Sequence, residues 1–169
     1  MTIDHDIAIL AAEVGASLKR HGYLLSTAES CTGGAVANAI TDIPGSSEWF
    51  DCGFITYSSE SKREILGVTQ DSLVNHGAVS EAVVRQMVTG ALRHSLSEVA
   101  LAVSGIAGPT GATSGKPIGT VWLAWGIKGR PPIACLHYLH GDRTEIRKRS
   151  TLLALQGTLD LLDGATKTA

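Results

Sequence analysis

Between Tyr23 and Ile40 the chain passes from an apolar run into a polar, glycine-bearing turn and then into a small-residue helical pattern. Tyr23 to Thr27 reads as a strand. Ala28-Glu29-Ser30-Cys31-Thr32-Gly33-Gly34 reads as a tight turn, and Ala35-Val36-Ala37-Asn38-Ala39-Ile40 as the start of a helix. A strand–turn–helix unit commits the chain to an α/β arrangement and puts a hydroxyl, bare backbone N–H groups and a helix N-terminus at one place. Ser30 or Thr32 could serve simply as the helix N-cap, the common use of such residues. Two adjacent glycines sit poorly with capping alone, because glycine in a first helical turn costs roughly 1 kcal/mol against alanine.

The rest of the chain extends the same alternation. Asp4 to His21 has apolar residues at helical spacing and ends at Gly22, a helix with a glycine stop. Cys52 to Tyr57 reads as a second strand, followed by a short helix from about Ser59 to Leu66 and another helical turn over Gln70 to Asn75. Ser80 is placed to cap a longer helix reaching about His94, with Val83, Val84, Met87, Val88, Ala91 and Leu92 as its buried stripe. Val99 to Val103 is a continuous apolar run suited to a covered central strand, and it enters a second glycine-rich loop, Ser104 to Gly111. Ile118 to Ile127 and Pro132 to Leu139 read as strands joined in an antiparallel hairpin, and Asp142 to Leu162 as a closing helix with a frayed tail from Gly164 to Ala169. The expected architecture is a single domain over 1–169, a mixed sheet with helices on both faces. Ligands of such sheets sit beyond the carboxyl ends of the strands. If the first three strands are parallel, Ser30, Tyr57 to Lys62, and Ser104 to Gly111 converge there.

A chain of 169 residues supports one core, and 44% hydrophobic content excludes general disorder. Lys and Arg total 14 against 16 Asp and Glu, a net charge of -2, which argues against a nucleic-acid footprint. No stretch reaches the length of a membrane span, and the acidic N-terminus does not resemble a signal peptide. Cys31, Cys52 and Cys135 are odd in number and lack close spacing, which suits a reduced, cytoplasmic protein. Trp122 and Trp125 in one strand, with Trp49-Phe50 in a loop, are more large apolar surface than a small domain easily buries, so a homo-oligomer is expected.

A serine nucleophile needs a base. None of the histidines stands at these strand ends; His76 beside Gly77 is the nearest, and it also suits a helix terminus. Lys62 can take the role if burial keeps it partly neutral, although most lysines are simply exposed. Tyr57 could relay a proton between the two. A competing arrangement is Ser59-Glu60-Ser61-Lys62, an S-x-x-K pattern that would make Ser59 the nucleophile, but its companion S-D-N and K-T-G elements are absent. His137 and His140 form the only close histidine pair and lack a third ligand, so no metal is expected, and neither glycine loop fits a nucleotide fingerprint.

Five ordered motifs carry a family resemblance: Ala28 to Gly34, Thr56-Tyr57-Ser58, His76 to Ser80, Ser104-Gly105-Ile106-Ala107-Gly108-Pro109, and Lys116 to Val121. Over about Ile7 to Leu162 the chain resembles the CinA C-terminal domain family, whose stand-alone members are nicotinamide-nucleotide amidohydrolases of the PncC type. The resemblance implies a three-layer α/β/α domain and hydrolysis of the carboxamide of nicotinamide mononucleotide without a cofactor. It implies Ser30 as nucleophile, with Lys62 and Tyr57 completing the catalytic site. For substrate binding it points to Glu29, Cys31, Thr32, Gly33 and Gly34 in the first turn. Ser104, Gly105 and Gly108 in the second loop, together with Lys116 and Arg143, complete that set, and the sequence does not choose which of them hold the phosphate. Two departures stand out: Ser59 replaces the usual asparagine, and Gly108-Pro109-Thr110-Gly111-Ala112 replaces Gly-Pro-x-Gly-Gly. The family's link to competence and recombination leaves a protein-interaction module without hydrolase activity as the alternative.

Overall fold

The computed structural model describes residues 1–168, with side chains through Gly164. Helix α1 (Ile3–His21) starts where the Thr2 hydroxyl accepts from His5 N–H and stops at Gly22, whose φ of 69° closes the last turn. Tyr23 belongs to that closure: its N–H bonds Leu18 O and its ring stacks on His21. Strand β1 (Leu25–Glu29) therefore begins two residues later than the apolar run suggested and carries the chain to Glu29. Then come α2 (Ala35–Thr41), a short 3-10 turn, and β2 (Phe50–Ile55), which is shifted the other way, two residues toward the N-terminus of the expected strand. Helices α3 (Ser59–Leu66), α4 (Gln70–His76) and α5 (Glu81–Arg93) follow, capped by the hydroxyls of Ser58, Thr69 and Ser80. Strands β3 (Val99–Gly105), β4 (Thr120–Ile127) and β5 (Ile133–Tyr138) lead to α6 (Arg143–Thr168). The closing helix, expected to stop at Leu162 with a frayed tail from Gly164, keeps a helical backbone through Thr168, and only Ala169 lies outside the described residues.

The sheet order is β2-β1-β3-β4-β5. Strands β1, β2 and β3 are mutually parallel, while β4 and β5 are antiparallel additions, so the sheet is mixed and the expected hairpin is present. One face packs under α1, α2 and α6 through Leu25, Leu101, Val103 and Leu123; the other packs under α3, α4 and α5 through Ala28, Ala100, Ala102 and Ala124. The three layers of the expected α/β/α domain are thus built by strand alternation: large residues meet one layer, alanines the other, and α5 approaches closely over them.

Two tryptophans are accommodated within the chain. Trp49 packs on Gly15 of α1, and Trp125 on Gly157 of α6, where its Nε1 donates to Ala154 O at 2.9 Å. A β-carbon at either glycine would collide with the indole, which explains glycine inside two helices. Trp49 and Trp125 are 4% and 6% exposed, so the expected homo-oligomer has to draw on other apolar surface, such as Ile133 and Tyr138 on edge strand β5. Among the described residues no helix is long and apolar enough to cross a membrane.

Candidate active site

The carboxyl ends of β1, β2 and β3 lie side by side, with Glu29 opposite both Ile55 and Val103. The turn after β1 is set by Glu29. Its carboxylate is fully buried and accepts from Thr32 Oγ1 (2.7 Å), Val36 N–H (2.9 Å), Ala37 N–H (3.0 Å) and Thr27 Oγ1 (3.2 Å). The N-cap of α2 is Gly34, which has no side chain, and Glu29 reaches forward to satisfy the first helical N–H groups in its place. Neither Ser30 nor Thr32 is the cap. Gly33 and Gly34 have φ of 61° and 100°, so the paired glycines answer a left-handed backbone.

With the turn fixed, Ser30 faces α3. Its Oγ lies 2.8 Å from Lys62 Nζ. Lys62, on the first turn of α3, is 1% exposed, and its Nζ also donates to Thr56 O (2.8 Å) and Tyr57 O (3.1 Å). Burial lowers the Lys62 pKa to about 8, and the nearby Cys31 thiol acts weakly in the opposite direction. A neutral amine has two N–H donors and one lone pair. Nζ donates to both carbonyls and to Ser30 Oγ, the three bonds of an ammonium; loss of one proton keeps the two carbonyl bonds and turns the lone pair to Ser30, whose Oγ also reaches Tyr57 O at 3.5 Å. Cys31 is buried, and desolvation pushes its thiol up to about 11, so it stays protonated beside the serine.

Tyr57 contributes differently from expectation. Its backbone carbonyl helps seat Lys62, while its phenol is 61% exposed and accepts from Arg143 Nη2 at 3.1 Å rather than bridging Ser30 and Lys62. Arg143 Nη1 donates to Gly108 O at 2.8 Å, so this arginine ties the end of β2 to the second glycine loop. Ser59 is exposed on the first turn of α3 and has no bond to Lys62; the cap there is Ser58.

Other expected binding residues lie elsewhere or are occupied. Glu29 and Thr32 are fully buried and bonded to each other, and Ser104, 1% exposed, donates to Ala78 O at 2.9 Å. Gly105 admits Cys31 Sγ and Val121 where a β-carbon would stand. Lys116 Nζ donates to His76 O at 2.6 Å and lines a recess with His76, Arg85 and Trp122 whose lining includes neither Ser30 nor Lys62. A larger cavity of about 660 Å³ abuts Thr32, Gly33 and Gly34 from the α1/α2/α6 side, and neither Ser30 nor Lys62 lines it. Sequence reasoning missed Arg147, whose guanidinium donates from Nε to Cys31 O and from Nη2 to Thr32 O, both at 3.0 Å. Its partners are backbone atoms more than a hundred residues away, which leave no mark on the side-chain pattern. Among the described residues there is no group of three or more His, Cys, Asp or Glu that could hold a metal ion.

The fold and site define a three-layer α/β domain with a buried serine–lysine pair at a switch between parallel strands. The chain belongs to the CinA C-terminal domain family, which matches residues 7–162. It is 47% identical to "Nicotinamide-nucleotide amidohydrolase PncC" of Escherichia coli (strain K12) over 153 residues, covering 90% of this chain and 93% of that protein. It is 46% identical to the protein of the same name from Pseudomonas putida, covering 92% and 96%. The crystal structure of competence/damage inducible protein CihA from Agrobacterium tumefaciens superposes with a TM-score of 0.89 at 42% identity, covering 94% of this chain and 96% of that one.

Proposed function

We propose that this chain is a cytoplasmic amidohydrolase that converts nicotinamide mononucleotide to nicotinate mononucleotide and ammonia through Ser30 and Lys62. The observation that carries the reading is the 2.8 Å contact between Ser30 Oγ and a buried Lys62 amine whose pKa is lowered to about 8. Relatives of near-equal length that bear the amidohydrolase name support the substrate.

Neutral Lys62 takes the Ser30 proton as Oγ bonds the carboxamide carbon. Backbone N–H groups of the Cys31–Thr32 segment face the oxygen that gains the charge. The C–N bond breaks as Lys62 returns its proton to nitrogen, and ammonia leaves an acyl-serine. Water then attacks the ester with Lys62 as base, releasing the carboxylate and restoring Ser30. Tyr57 and Arg143 form the rim, and Arg143 retains guanidinium donors for a phosphate beyond those bonded to Tyr57 and Gly108.

The test is ammonia and nicotinate mononucleotide production by the purified protein from nicotinamide mononucleotide, with Ser30→Ala as control. Turnover that disappears in the variant supports the reading. No turnover of this substrate or of other pyridine amides favours the protein-interaction module.

A further inference from the structure

We propose that Arg147 is a positioning residue that aims the backbone of the Ser30 turn at the oxygen that becomes negative during amide cleavage. This rests on the amidohydrolase reading given above. Arg147 stands on α6, on the far side of the turn from Lys62 and α3. It grips two consecutive carbonyls, Cys31 O and Thr32 O, through a single planar guanidinium. In a trans peptide the C=O and the following N–H point in opposite directions. Holding Cys31 O toward α6 therefore turns the Thr32 N–H away from α6, toward the Ser30 side.

Three N–H groups of the turn are committed, Ser30 N–H to Val103 O, Gly33 N–H to Ser30 O and Ala35 N–H to Thr32 O, while Gly34 is only half-buried. Those of Cys31 and Thr32 bond no other described residue, although both residues are buried. A buried N–H without a partner is rare and costly. Cys31 N–H lies against its own thiol, whereas Thr32 N–H, two residues after a serine that touches an amine, suits a partner that arrives only with the reaction. The carboxylate of Glu29 fixes the same turn through Thr32 Oγ1 and the start of α2, but it touches neither of these two carbonyls. Ala35 N–H and Ser30 O already hold the 32–33 peptide at its two ends, so it is the orientation of the 31–32 peptide, Cys31 O and Thr32 N–H, that is left to Arg147. Lysine at this position would bring the charge without the fork.

The experiment is steady-state hydrolysis of nicotinamide mononucleotide by wild type, Arg147→Ala and Arg147→Lys. Melting temperatures and pH profiles are recorded alongside. Removing the guanidinium should lower kcat by about 10- to 100-fold, the range expected when an oxyanion donor is misaimed rather than deleted. KM should stay within about threefold, because no substrate contact is lost. The rising limb of the pH profile should keep its midpoint, because Lys62 is untouched. Guanidinium ion at tens of millimolar should restore part of the kcat of Arg147→Ala and none of that of Ser30→Ala. Arg147→Lys, which keeps the charge on a single donor nitrogen without the fork, should show an intermediate kcat, and it carries the test if Arg147→Ala does not fold. A kcat within about twofold of wild type in either folded variant overturns the proposal. So does a large rise in KM at unchanged kcat, which would make Arg147 a substrate contact. Wild type that releases no ammonia overturns the amidohydrolase reading itself and this proposal with it.

Discussion

Ser30 and Ser104 end adjacent parallel strands, project to the same face of the sheet and are both buried, yet one hydroxyl meets an amine and the other a carbonyl. Ser104 Oγ donates to Ala78 O and so pins the segment before α5 to β3, and among the described residues it bonds no titratable side chain. Ser30 Oγ meets Lys62, an amine that burial brings toward neutrality. Position at a strand end is shared; the partner decides which serine is chemically active. The partner in turn depends on α3 beginning just after β2, so that its first turn delivers a lysine under β1.

Substitution of the active pair should separate the two serines most strongly. Ser30→Ala should reduce kcat/KM by about a thousandfold or more, and Lys62→Ala similarly, because each removes a member of one proton-transfer unit. Lys62→Arg should not rescue, since arginine does not give up its proton. Circular dichroism should show both serine and lysine variants folded; retention of activity by Ser30→Ala would move the nucleophile elsewhere.

Acidity sharpens the contrast next. With Lys62 as base, kcat/KM should rise about tenfold per pH unit below its value of about 8 and level off above it. The folded-state value lies below the ordinary 10.5, so the unfolded chain binds more protons than the native state between about 8 and 10.5. Wild-type stability relative to Lys62→Met should therefore climb with pH across that window, and the cost of burying the cation is present in full below it. Denaturant melts of the two proteins at pH 7 and pH 9.5 check the sign; a difference that does not change would mean Lys62 is charged in the fold at both.

Much of this was legible in the residues themselves. The glycine pair marked a left-handed turn, three strand ends carrying polar residues marked the crevice, and Lys62 stood out because it follows a strand end closely. The limits of legibility were physical. Tyr23 looked like strand because it is apolar, but the α1 closure uses its N–H. Glu29 entered the substrate-binding set through the family resemblance, whereas four internal donors consume its carboxylate. The phenol of Tyr57 read as a relay, but it is the backbone carbonyl that meets Lys62, while the phenol oxygen accepts from Arg143. Lys116 lay in a motif with the others, and the long loop before β4 carries it to another recess.

Smaller effects complete the ordering. Ser104→Ala should lose about 1 kcal/mol of stability, the cost of leaving Ala78 O unpaired, and less than about tenfold in kcat/KM. A loss as deep as that of Ser30→Ala would erase the distinction between the two serines. Ser59→Ala should change kcat/KM by less than about twofold, because the residue is exposed and Ser58 makes the cap. An inactive Ser59→Ala would restore the S-x-x-K arrangement.

The pairing of Ser30 with Lys62 is tested most directly by a double-mutant cycle on ammonia release from nicotinamide mononucleotide. Residues that act as one unit are strongly non-additive, so the Ser30→Ala/Lys62→Ala protein should be no slower, within about threefold, than either single variant. Losses that multiply, with the double variant slower than each single by the full factor of the other, would show two independent contributions and contradict the pair.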